Sequence, residues 1–98
     1  MEIEFNDESL DLLETDANFN AGYAREIVKA YRKRIQAIRA ANDERDLYAV
    51  KGNHFEKLKG SRAHQHSMRL NDKWRLIVEI KSGNPKNTIV VIAIEDYH

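Results

Sequence analysis

The chain has no cysteine, which excludes disulfides and thiolate metal sites and leaves nothing that points to an oxidising compartment. It has a single proline, Pro85, no repeat and no low-complexity stretch, so neither a linker nor a second domain is visible and residues 1–98 read as one domain. Long apolar runs are also missing. The longest, Ile89 to Ile94, is far below the roughly 20 residues that a membrane-spanning helix needs. The start, "MEIEFNDESL", is acidic and polar, without the basic segment and apolar stretch of a signal peptide. A soluble, cytoplasmic protein with no membrane role is expected. There is no glycine-rich phosphate loop, nucleophile elbow or dinucleotide fingerprint, which leaves few catalytic alternatives.

Charge of one sign is scarce as a total but not as a pattern. Sixteen basic and sixteen acidic residues cancel, which taken alone argues against a nucleic-acid binder. Residues 1–17, however, carry seven acids and no base, whereas residues 45–76 carry eight bases against three acids, with three histidines besides. A local basic zone of this kind suits a phosphate-facing surface, although two solvated faces of opposite sign would look the same.

The order of elements follows from periodicity. "IEF" suits a short strand, and "DESLDLLETD" an acidic helix with Leu10 and Leu13 turned inward and Leu12 as a further candidate for that face. Ala24, Ile27, Val28, Tyr31, Ile35 and Ile38 recur at helical spacing and predict a helix over about 20–41, with Asn20 as its N-cap. Residues 44–62, polar and punctuated by Gly52 and Gly60, read as a long ordered loop. Beyond it, Met68 and Leu70 alternate with polar residues, Asn71-Asp72 reads as a tight turn, and Trp74, Leu76, Val78 and Ile80 alternate with Arg75, Ile77 and Glu79. "SGNPKN" is a second turn and "TIVVIAIE" a strand apolar enough to be covered on both faces. The expected architecture is α+β, in the order β-α-α-β-β-β, with two N-terminal helices on one face of a curled, mainly antiparallel sheet.

The other sheet face is where the polar residues gain meaning. With a turn at Asn71-Asp72, Arg69 and Arg75 point to one face of neighbouring strands, an unfavourable pairing unless an anion joins them. A phosphate would serve, and so would a carboxylate such as Glu56. Glu56, Lys59, Arg75 and His98 together form a sufficient kit for metal-free RNA cleavage. A base removes the ribose 2′-OH proton, cations stabilise the phosphorane and an acid protonates the leaving 5′-oxygen. Asp96 and the terminal carboxylate favour a protonated His98, and Tyr97 offers a ring on which a base can stack. Lys57, Arg62 and Lys73 belong to the same basic zone and join Arg69 as candidate RNA contacts. His64 and His66, two apart, would share a face of a strand, but no third ligand stands at metal spacing, so neither a metal site nor a cofactor is expected.

"GNHFE", then "LKGSRAHQHSMRLNDKWRLIVEI", then the terminal "IEDYH" strongly resemble the HigB-type toxins of the RelE/ParE superfamily, closely over residues 45–98. The resemblance implies a RelE-like domain and a toxin encoded beside a HigA-like antitoxin that carries a helix-turn-helix DNA-binding domain. It further implies an endoribonuclease that cuts translated mRNA on the ribosome and arrests growth. By the same resemblance Arg75 is the hairpin arginine that stabilises phosphate charge, and His98, with Asp96 and Tyr97, is the terminal motif that supplies the general acid. Glu56 falls where relatives place a catalytic Glu or His, Lys59 where many carry a lysine, and Arg69 at a basic strand position near the phosphate. His64 departs from a common glycine. The competing expectation is a ParE-like toxin that inhibits a protein target such as DNA gyrase without cleaving anything.

Overall fold

The computed structural model describes residues 1–96, and the expectations for Tyr97 and His98 lie outside the described residues. Strand β1 (Glu2–Phe5) is followed by helix α1 (Glu8–Thr15) and helix α2 (Arg25–Ala40). The chain then forms a short helix α3 (Glu44–Ala49) and strands β2 (Glu56–Lys57), β3 (Gln65–Arg69), β4 (Trp74–Lys81) and β5 (Thr88–Asp96). The five strands form one open sheet in the order β1-β5-β4-β3-β2. β1 runs parallel to β5, and the remaining pairs are antiparallel. No helix among the described residues is long and apolar enough to cross a membrane.

Helix α1 starts where the Asp7 carboxylate accepts the Leu10 N–H, and it buries Leu10 and Leu13, while Leu12 is only half-buried. α2 begins five residues later than its apolar spacing predicts. Ala21 (φ 53°) and Gly22 (φ 82°) take left-handed backbone that a helix cannot include, and the cap is Ala24. Asn20 instead accepts the Gly22 N–H at 2.9 Å and shapes the preceding turn. Arg32 anchors that connection to α2 by donating to the carbonyls of Leu13, Asp16 and Phe19.

Tyr31 lies in the middle of the core with no exposed surface, and its hydroxyl donates to the Leu10 carbonyl at 2.7 Å. Burial, then the charges of Glu14, Asp11 and Asp7, hold this phenol well above its usual range, so it remains a donor. Tyr31→Phe removes one buried bond between the two helices. It is expected to lower stability by about 1 kcal/mol, read as a shifted urea midpoint at unchanged slope.

The expected loop at 44–62 holds more structure than its polarity implies. α3, a 3₁₀ turn at Lys51–Asn53, β2 and a second 3₁₀ turn at Gly60–Arg62 were all missed. Each is too short to show a period, and each is held from outside: Leu47 is buried in the core, and the buried Asn53 amide donates to the Leu47 carbonyl. The β3–β4 connection is also longer than a two-residue turn. Leu70 and Asn71 N–H groups both reach the Trp74 carbonyl, and the Asn71 side chain accepts from Lys73 and Trp74.

Strand β5 contains a bulge. Ile77 pairs with Ala93 but Val78 pairs with Val91, so Ile92 is an extra residue. Inward-facing positions are therefore Ile89 and Val91 before the bulge and Ile94 after it. The strand is fully covered on the helical side only, since Val90 and Ala93 are half-buried. The parity switch also turns Glu95 onto the open face, opposite Arg75.

Candidate functional site

The β3–β4 hairpin places Arg69 and Arg75 as direct cross-strand partners, and β5 adds Glu95 as the partner of Arg75. Side chains of paired antiparallel residues share a face, so Arg69, Arg75 and Glu95 form a row on the open side of the sheet. The next row along is Glu56, Ser67, Ile77 and Ala93. Leu58, Arg62, Ser67, Arg75, Glu95 and Asp96 line a cleft of about 280 Å³ over these rows.

The charges of the site are largely matched within it. Arg69 is paired with Asp72 across the turn, so the carboxylate it meets is Asp72 and not Glu56. Arg62 donates to both Glu95 oxygens at 3.0 Å and to Gln65 at 2.9 Å. Lys73 lies 3.7 Å from Asp96 at the end of β5. Of the sequence candidates, Arg62, Arg75 and Asp96 line the cleft, Arg69 stands beside Arg75 in the same row, and Lys73 reaches the rim through Asp96. Glu56 is exposed on the edge strand and faces the cleft side. Lys57, its neighbour, pairs with His66 and points to the opposite face, away from the arginine row. Lys59 is exposed at the start of the 3₁₀ turn that carries Arg62.

Arg34 escaped the sequence reading because it looks like one more solvated base on α2. It donates from Nε to the Arg69 carbonyl at 2.8 Å and from Nη2 to the Gly52 carbonyl at 3.0 Å. It therefore ties the end of β3 to the helical layer and positions Arg69. Partial burial and then the adjacent Arg69 charge lower its pKa from the usual guanidinium value. Its i+35 partner in the chain gives no local signal.

The two close histidines do not share a face. β3 begins only at Gln65, so His64 sits before the strand, 3.7 Å from Glu79, while His66 turns towards the core side. His66 stacks on Phe55 (ring centroids 4.8 Å apart, 14° between planes) and its Nε2 meets the Tyr48 hydroxyl at 3.1 Å. Among the described residues no group of three or more His, Asp or Glu could hold a metal ion.

Burial, reinforced by the charge of Lys57 and partly opposed by Glu44, holds the His66 pKa below its ordinary value of 6.5. As pH falls below 6.5 the unfolded chain takes up a proton that the folded chain refuses, so stability declines until the folded value is passed. Above 6.5 this contribution is fully present. His66→Phe is expected to flatten that acid limb, checked by denaturant midpoints on both sides of pH 6.5.

A second, larger groove of about 900 Å³ lies on the helical side, between the α1–α2 connection and α2, with Phe19, Tyr23, Arg25 and Lys29 in its walls. Tyr23 packs edge-on against Trp74, the residue before Arg75.

The arrangement of helices over this sheet has a solved counterpart. The YoeB/ParE toxin from Agrobacterium tumefaciens matches the chain with a TM-score of 0.60 at 18% identity, over 100% of both chains, and at that identity the likeness defines the fold, that of RelE/YoeB-like toxins. Residues 3–98 also match the family described as the RelE-like toxin of type II toxin-antitoxin system HigB, and the chain belongs to that family. Among curated protein sequences no relative matches. The protein is thus a toxin of a type II toxin–antitoxin system, which implies a cognate antitoxin.

Proposed function

We propose that this toxin is a ribosome-dependent endoribonuclease that cuts translated mRNA in the cytoplasm and so arrests growth. The observation that carries the reading is the Arg69–Arg75 pair on the open sheet face, beside a cleft that also holds Arg62. Two guanidiniums side by side on one face suit a phosphate diester, whose oxygens accept from both donors at once.

In the proposed step Glu56, on the cleft side of the edge strand, takes the 2′-OH proton, with Lys59 as the other candidate base. The 2′-oxygen then bonds to phosphorus, Arg75 and Arg69 bind the charge that gathers on the phosphoryl oxygens, and the bond to the 5′-oxygen breaks. His98 supplies the proton to that leaving oxygen, leaving a cyclic phosphate and a free 5′-OH. The step uses protein groups alone and no metal ion. Tyr97 stacks on a base, Asp96 supports the His98 imidazolium, and Arg62 and Lys73 contact neighbouring phosphates. Lys57, on the far face, is left with at most a contact to RNA that wraps the sheet edge. The antitoxin in this reading is HigA-like, with a helix-turn-helix domain.

Primer extension on a translated mRNA after brief induction tests the proposal, with wild type and His98→Ala compared side by side. Cuts within codons that appear only with wild type are expected. Growth arrest without any cuts would overturn the ribonuclease reading in favour of a protein target such as DNA gyrase.

A further inference from the structure

We propose that Glu95 acts as a brake on RNA binding: its carboxylate occupies the Arg62 guanidinium that a phosphate would otherwise take. The inference rests on the proposed reading of the cleft as an RNA site. Arg62 comes from a 3₁₀ turn, not from the sheet, and three contacts hold it over the cleft. Two of these are the parallel N–H···O bonds to Glu95, the same fork geometry by which a guanidinium grips a phosphate, so both anions need the same donor edge.

Glu95 reaches this place only through the β5 bulge, which turns it out beside Arg75. A carboxylate directly across from the arginine that meets the scissile phosphate repels that phosphate as well. The two side chains keep 44% and 40% of their surface exposed, so the pair is open to solvent and to exchange with a competing anion. Among the described residues of the cleft and its rim, Arg62, Arg69, Arg75 and Lys73 stand against Glu95, Asp72, Asp96 and Glu56, so these side chains carry no net charge to draw in free RNA. RNA therefore binds when it is presented at high local concentration, as on a ribosome, and displaces Glu95 from Arg62. Releasing the brake needs no part to move beyond one side chain.

The test measures binding of a short 2′-O-methyl single-stranded RNA, which cannot be cleaved, to the full chain across a salt series. Glu95→Gln is expected to bind about threefold to fivefold more tightly at low salt, the worth of one released ion pair. Its plot of log affinity against log salt should steepen by roughly 0.7, because Arg62 becomes one more phosphate contact. In an Arg62→Gln background the same change should lose the salt-slope effect. Unchanged or weaker binding by a folded Glu95→Gln protein, while Arg75→Gln weakens binding, would overturn the brake and leave the RNA site standing. If Arg75→Gln has no effect either, the RNA reading falls and the brake falls with it.

Discussion

Arg75→Ala is expected to lower mRNA cleavage by about 10²–10³-fold, the loss typical of deleting a preorganised donor to a developing oxyanion, and to abolish growth arrest. The guanidinium is placed by the central strand of the sheet. Leu76 and Val78 are fully buried on the core side, so the backbone that carries Arg75 cannot shift without opening the core. The side chain itself lies on the other face, in the cleft, half-buried and opposite Arg69 and Glu95. Removing it should therefore leave the thermal midpoint near that of wild type, which separates lost chemistry from lost fold. Arg75→Lys sharpens the result. A lysine keeps the charge but not the two-pronged donor, so partial recovery is expected if charge is the larger need and almost none if the fork is. Single-turnover cleavage of mRNA on programmed ribosomes reads both variants. Near-normal cleavage by Arg75→Ala would remove the arginine pair from the mechanism.

The second large effect is expected from His98→Ala, with cleavage reduced by about 10²–10⁴-fold, the usual range for a general acid. Its distinguishing test is a substrate whose leaving 5′-oxygen is replaced by sulfur. A thiolate departs without help from a proton, so this substrate should restore much of the rate to His98→Ala and none to Arg75→Ala. Equal loss on both substrates would assign His98 a binding role in place of proton transfer. The "DYH" ending begins at Asp96, the last described residue of β5, which pairs with Trp74 beside Arg75. The β4–β5 ladder, the longest of the sheet, thus reaches as far as Asp96.

The two arginine neighbours Arg34 and Arg62 show how a site of this kind is held. Arg34 fixes the backbone of Arg69 from the helical layer, and Arg62 is held from the loop by Gln65 and Glu95. Neither is a strand residue: Arg34 reaches the hairpin across 35 residues, and Arg62 reaches β5 across 33.

What the sequence determined by itself is what depends on short-range pattern. The alternation over Trp74 to Ile80 and the turn residues after Arg69 were enough to set Arg69 and Arg75 on one face, because a strand has a period of two and the hairpin connection is local. The helical stripe from Ile27 to Ile38 likewise marked the buried face of α2, although the left-handed Ala21 and Gly22 delayed its start. The spaced motifs of the second half of the chain were specific enough to mark the family that residues 3–98 match.

Tertiary structure alone decided the rest. The short elements between residues 44 and 62 exist because Leu47, Phe55 and Asn53 are held by the core, and pieces of 2 to 6 residues have no period to reveal them. His64 and His66 parted because the first residue of a strand is set by pairing with its neighbour, not by its own side chains. Arg34 found carbonyl partners 18 and 35 residues away, a match that no window of sequence contains. The bulge at Ile92 was the most consequential of these. Uninterrupted alternation from Ile89 and Val91 would have sent Glu95 into the core, whereas one extra residue in the ladder, chosen by the register of β4 against β5, turned it out to face Arg75 and grip Arg62.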